Sequence, residues 1–340
     1  MSASSRDPRS PHRLLCRLDD EFHATAVACP DGLGVVLAAA GATGNNDLGE
    51  VLLLAPDPDP EPEEPTRLVT LTEQSMAVDA VFSPDGARVT VGFADLGGGG
   101  DGPVTYGRDG VRRSGFAIDG GDADAEPPDA EIDFVRLGQS GDGRLLAGGS
   151  PVAGTAVVAE AATGRVLLTM DGVSGPVALD HTGRRLAHAR PDGAVSVREL
   201  GGEAGAVTWD TGLSAVHALA FSPDGTGLLA AGGDRPTACL FTAGGERATV
   251  QVADPAFGVD ASLPWAALAS RACWPRAGRG RPVVFLADDE SAVLFDGMDG
   301  TILWTGAEQT VASFTPRGGT FVATGPEGVT AWSLEALGGR

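Results

Sequence analysis

The sequence predicts an all-β fold: a seven-bladed β-propeller with four antiparallel strands per blade, its ring closed by the amino-terminal strand in the last blade. Three observations carry this. A short turn motif recurs seven times along the 340 residues, the apolar residues between its copies fall into strand-length runs, and the two chain ends are complementary by one strand. Fifty glycines and 23 prolines spread along the chain supply the turns that so many short strands need.

The motif is clearest in Phe82-Ser83-Pro84-Asp85-Gly86 and Phe221-Ser222-Pro223-Asp224-Gly225, which are identical. Proline presets φ at one turn position, aspartate suits the next, and glycine accepts the positive φ from which a second strand can start. Weaker copies stand at Ala28–Gly32, Gln139–Gly143, Leu179–Gly183, Trp274–Gly278 and Phe314–Gly318. Their glycines, 32, 86, 143, 183, 225, 278 and 318, are separated by 54, 57, 40, 42, 53 and 40 residues. The short intervals define a basal unit of four strands, and each long one contains a loop-like insertion. These insertions are Ala55–Pro65, Ile118–Glu131 and Asp254–Pro264.

Within a unit the strands follow in order. In the fifth they read Leu213–Phe221, Leu228–Gly233, Ala238–Phe241 and Arg247–Val252. After Gly318 only 22 residues remain, room for strands at Thr320–Thr324 and Val329–Leu334 but not for a fourth. His12–Leu18, before the first inner strand Thr25–Cys29, is the surplus strand that completes this sheet and removes an open seam. The expected organisation is a flexible segment over 1–11, a single propeller over 12–336 with 12–20 as the outer strand of its last blade, and a tail over 337–340.

Composition narrows the function. All 24 basic residues are arginine, so chemistries that need a lysine amine at a defined place, such as a P-loop or a Schiff base, are excluded. Against them stand 46 acidic residues and a net charge of -22, which argues against nucleic-acid or anionic-membrane partners. Neither a secretory signal nor an apolar run of membrane-spanning length is visible. Cys16, Cys29, Cys239 and Cys273 are scattered without a CxxC pair and read as buried thiols of a cytoplasmic protein.

The turns, a small or glycine-rich second strand and a third strand ending near a Trp-Asp position recur in order, as in Val329-Thr330-Ala331-Trp332-Ser333 and Ala292–Asp296. In this the chain resembles the WD-repeat β-propeller family over nearly its whole length. It departs from the family in lacking the Gly-His pair before each first strand, and Val207-Thr208-Trp209-Asp210 falls where a fourth strand is expected. The resemblance implies a non-enzymatic scaffold for protein–protein interaction, with apolar packing between blades in place of the family's hydrogen-bond network.

Catalytic constellations are absent from the pattern. The five histidines form neither HxH nor HExxH, and His217, inside an alternating strand, reads as a polar or satisfied strand histidine rather than a ligand. Asp288-Asp289-Glu290 reads as a solvated turn, the glycine run Gly97–Gly100 as a linker, and no cofactor or metal is expected. The alternatives are a propeller hydrolase of the lactonase type with a metal in its channel, disfavoured by having only Asn45 and Asn46, and a sensor of a small ligand or peptide. The acidic insertions read as solvated loops. One segment opposes the acidic background: Arg271, Arg276, Arg279 and Arg281 with Trp274, preceded by Trp265, are the expected partner-binding patch, since arginine and tryptophan dominate interface hot spots.

Overall fold

The structure, a computed structural model, describes residues 12–18, 24–40, 50–56, 67–72, 77–95, 102–116, 133–134, 136–150, 154–202, 205–242, 244–252, 270–276, 280–287, 291–306, 310–325 and 328–337. Segment 1–11 and the acidic stretches 57–64 and 118–131 lie outside them, as does 254–264.

Seven antiparallel sheets follow one another. β1 (His12–Cys16) leads into blade one, formed by β2 (Ala24–Ala28), β3 (Val36–Ala40), β4 (Val51–Leu54) and β5 (Arg67–Thr72). Blade two holds β6 (Ala77–Phe82), β7 (Arg88–Asp95), β8 (Val104–Gly107) and β9 (Arg112–Gly115). Its β7 also pairs with a two-residue β10 (Asp133–Phe134), an addition to the four-strand pattern. Blade three is β11 (Arg136–Gln139), β12 (Leu145–Ser150), β13 (Thr155–Glu160) and β14 (Val166–Asp171). Blade four is β15 (Val177–Leu179), β16 (Arg185–Ala189), β17 (Val195–Glu199) and β18 (Val207–Trp209). Blade five is β19 (Val216–Phe221), β20 (Gly227–Gly232), β21 (Thr237–Thr242) and β22 (Arg247–Gln251). Blade six is β23 (Arg271–Cys273), β24 (Val283–Ala287), β25 (Ala292–Asp296) and β26 (Ile302–Gly306).

Blade seven closes the ring as the strand count requires. β27 (Ala312–Phe314), β28 (Thr320–Gly325) and β29 (Gly328–Ser333) are completed by β1, which pairs His12 with Trp332 and Cys16 with Val329. Leu15 and Cys16 are fully buried, so closure removes apolar surface as well as a strand edge. A single turn of helix, α1 (Leu334–Leu337), follows β29 and buries Leu334 and Leu337 against blades six and seven. It had no counterpart in the sequence pattern.

The core is distributed over the seven blade interfaces, one apolar cluster at each. Blades one and two share Leu37, Leu53, Phe82 and Tyr106; blades four and five share Val197, Phe221 and Phe241. The richest seam lies between blades six and seven, where Phe285, Trp304, Phe321 and Trp332 pack with Trp304 and Trp332 centroids 5.4 Å apart. Among the described residues, the thinnest, between blades two and three, has Phe116 against Leu146, Val157, Ala159 and Ala161. Outer strands carry little of this burden: β14 exposes Val166 and Leu167 while β24 is buried throughout.

Candidate functional site

The first strand of each blade contributes to the lining of one pocket, and charged residues from three blades meet beside it. Asp79 of β6, Arg136 of β11 and Arg271 of β23 come from blades two, three and six and meet there. Arg271 Nη2 donates to Asp79 Oδ1 at 2.9 Å, and Arg136 Nε lies 3.5 Å from Asp79 Oδ2. Arg136 Nη2 also donates to the Ser270 carbonyl at 2.6 Å, tying blade three to blade six. The carboxylate is anchored by amides as well, from Ala80 and from Leu137 of the neighbouring blade, both at 2.9 Å. Burial, then the like charge of Arg271, pulls the Arg136 guanidinium down to about 9, against the opposing pull of Asp79.

His217 stands near this cluster. A bulge between Val216 and Ala218 leaves it outside the β19–β20 register. It is buried, and its Nε2 has no hydrogen-bond partner among the described residues, so it keeps its strand position while this atom stays unsatisfied. Burial, reinforced by Arg136 and opposed by Asp234, lowers it to about 4. The Ser270 hydroxyl is likewise buried without a partner.

Beside the ions lies a funnel of about 240 Å³ that opens on the face carrying the described glycine turns. Its wall includes Val81, Gly138, Val177, Leu219, Trp274 and Phe314. Asp79, Arg136 and Arg271 each directly precede a lining residue, Ala80, Leu137 and Ala272, so the ion cluster is the funnel's floor. The Trp274 indole is held by donating Nε1 to the Gly280 carbonyl at 2.5 Å.

The surrounding turns are braced from within. Ser83, Ser140 and Ser222 each donate Oγ to the aspartate two residues on, at 2.5, 2.7 and 2.6 Å. Each also accepts the amide of the residue that begins the second strand, Arg88, Leu145 or Gly227. Ser222 and then Thr226 thereby hold the Asp224 carboxyl down at about 2. Gly225, at φ 71°, completes its turn and accepts a hydrogen bond from Arg185 of blade four. Gly318, at φ 70°, sits against Cys273 and Pro275, where any side chain would collide with blade six. Neighbouring turns therefore interlock into a collar around the funnel.

The expected partner patch is divided by this geometry. Arg271 lies in the floor, Trp274 in the wall and Arg276 exposed at the rim. Arg281 is directed away, bound by Asp296 at 2.8 Å and by Asp299. Trp265 and Arg279 lie outside the described residues, as do Asp288, Asp289 and Glu290. Asp79 and Arg136 were missed. The available signal was a charged residue inside the apolar strand Ala77–Phe82, but its partners lie far away in sequence, 192 residues in the case of Arg271.

Other chemistry finds no constellation here. Among the described residues no group of three or more His, Cys, Asp and Glu is placed to hold a metal, and the guanidinium pair in the floor would repel a divalent cation. Cys16, Cys29 and Cys239 are buried free thiols and Cys273 is half-buried; burial pushes Cys16 and Cys29 up to about 12, which suppresses thiolate chemistry. No described helix is long and apolar enough to cross a membrane.

No family model and no curated protein matches the chain. Among solved structures, a chain of the "Crystal Structure of Mitotic Checkpoint Complex" is similar with a TM-score of 0.63 and 16% sequence identity, over 95% of this chain and 94% of that one. At that identity the likeness concerns the fold.

Proposed function

We propose that this chain is a non-enzymatic interaction scaffold of the WD-repeat propeller type, working in the cytoplasm and contacting protein partners through the turn-bearing face of its ring. The observation that supports this reading is the braced collar around an open funnel. Among the described residues, six of the glycine turns, three of them locked by the same serine–aspartate hydrogen bonds, present fixed side chains on one face. A preordered surface loses little conformational entropy on binding, so a partner gains most of the contact energy it makes. The likeness to a chain from a multiprotein complex is compatible with this.

The test is chemical crosslinking of the chain in its native host, followed by reconstitution of each crosslinked pair from purified components. Crosslinks concentrated on the turn face, with a complex that re-forms in solution, are the expected result. A chain that is recovered alone, or that crosslinks only through its outer strands, overturns the proposal.

A further inference from the structure

The chain carries 46 acidic residues against 24 basic ones, yet among the described residues no Asp or Glu lines the funnel. Its charged or protonatable lining, apart from the two thiols Cys29 and Cys273, consists of His181 and Arg276. These arrive from blades four and six and converge over Gly141 of blade three: a Cβ on Gly141 would overlap both His181 Nδ1 and Arg276 Nη2. The two nitrogens therefore stand within reach of one common acceptor.

Neither is engaged by a carboxylate. Arg276 donates Nη1 to the Gly141 carbonyl at 3.2 Å and its amide to the Arg317 carbonyl at 3.1 Å, and among the described residues it makes no ion pair. The nearest rim aspartates, Asp31 and Asp142, attract Arg276 from a distance but hydrogen-bond to other groups, and Asp31 Oδ2 has no hydrogen-bond partner among the described residues. Asp142 is taken by Ser140 and Arg144, and Asp31 accepts the Arg317 amide and faces its guanidinium at 3.7 Å. Asp85 and Asp224 point into their own turns.

We propose that the funnel mouth binds an acidic side chain, aspartate or glutamate, presented by an extended segment of a partner protein, with its carboxylate between Arg276 and His181 and its methylenes on the apolar wall beside Trp274. Two observations choose this occupant. Charge complementarity selects a carboxylate, because arginine and imidazole donors converge on a wall without Asp or Glu among the described residues, and the nearby Asp31 and Asp142 attract Arg276 without an ion pair to it. The volume selects a side chain: about 240 Å³ holds one residue's side chain but falls below the roughly 300–1,000 Å³ of pockets that enclose a whole ligand. The rim position of Arg276 and His181, both exposed, leaves the rest of such a segment free to lie across the collar.

This inference rests on the scaffold reading and names the chemistry of its partner. Its test is calorimetric titration of the full chain with acetyl-(Gly-Glu)₃-amide and, in parallel, with the glutamine counterpart. The glutamate peptide is expected to bind at least about tenfold more tightly, and Arg276→Gln and Gly141→Ala should each weaken it by about tenfold while the melting temperature stays put. Gly141→Ala removes no donor; its methyl displaces the pair, which makes it independent of the arginine deletion. Equal binding of the two peptides, or glutamate binding unaffected by both variants, overturns the proposal. So does inorganic phosphate or acetate that binds as tightly as the peptide, because the site would then be one for free anions. The two readings fail separately. Reconstituted partners that bind both variants as they bind the native chain leave the scaffold standing and remove this site; a glutamate-selective funnel in a chain that crosslinks to no partner keeps the site and removes the scaffold.

Discussion

Arg271 and Arg276 leave the same short stretch of blade six and meet opposite fates. Arg271 turns into the channel, where Asp79 takes its guanidinium at 2.9 Å and Arg136 stands on the far side of the same carboxylate. Arg276, five residues on, emerges at the rim and, among the described residues, hydrogen-bonds only to backbone carbonyls. The difference teaches which charges a propeller uses for itself. At the floor, Asp79 and Arg136 are buried, so an arginine without its carboxylate would be costly and three blades are tied together around one aspartate. At the mouth, water solvates the cation, so it can remain without an ion pair until a ligand supplies one.

Breaking the ring should abolish both ends together. Deleting Met1–Asp20 removes β1 from β29 and exposes the surfaces that Leu15 and Cys16 cover, so a loss of several kcal/mol and a marked fall in melting temperature are expected; an unchanged melt would mean that blade seven does not need its fourth strand. Asp79→Ala strikes the floor alone. It leaves the buried Arg136 and the half-buried Arg271 guanidiniums without their shared carboxylate and should cost about 3–5 kcal/mol in urea denaturation.

Acid should weaken the floor before the mouth. His217, lowered to about 4, stays neutral when folded but takes up a proton near its ordinary value when unfolded. Its contribution is therefore fully present above about pH 6.5 and declines as the pH falls towards 4, by about 2 kcal/mol between pH 7 and pH 5. His188, lowered by burial, adds in the same direction, whereas Asp85, Asp142 and Asp224, lowered by turn hydrogen bonds, act only below the ordinary carboxylate range. His217→Gln should remove most of the slope between pH 7 and 5, and a slope that persists would assign it elsewhere. Ser222→Ala, which unbraces one collar turn, should cost about 1 kcal/mol. Smallest of all, Arg276→Gln should change stability by less than about 0.5 kcal/mol, which a thermal melt can check; a larger loss would make the rim arginine structural like Arg271.

Much of the architecture was legible because its signals are local. The turn glycines 86, 143, 183, 225 and 318 all adopt positive φ, as a turn that reverses one strand into the next demands. The strand deficit after Gly318 pointed to His12–Leu18, and His12–Cys16 within it is the strand that pairs with β29. Val207–Trp209, set aside as a fourth strand despite its Trp-Asp appearance, is the outer strand of blade four. The arginine segment was legible as an anomaly but not as a site. Spacing along the chain could not say that Arg271 would turn inward, that Arg281 would be taken by Asp296 and Asp299, or that His181 would come to stand beside Arg276 over Gly141.

What the sequence determined by itself is therefore the ring: the number of blades, their strands and the way the ends meet, because turn chemistry and apolar alternation act over a few residues and repeat. What only the tertiary structure decided is the channel. Curling seven sheets into a circle brings residues 79, 136 and 271 to one buried point and residues 141, 181 and 276 to one exposed rim. Which arginine is consumed by the fold and which stays available depends on that convergence, since the energy of a charge is set by the water and the countercharges around it and not by its neighbours in the chain.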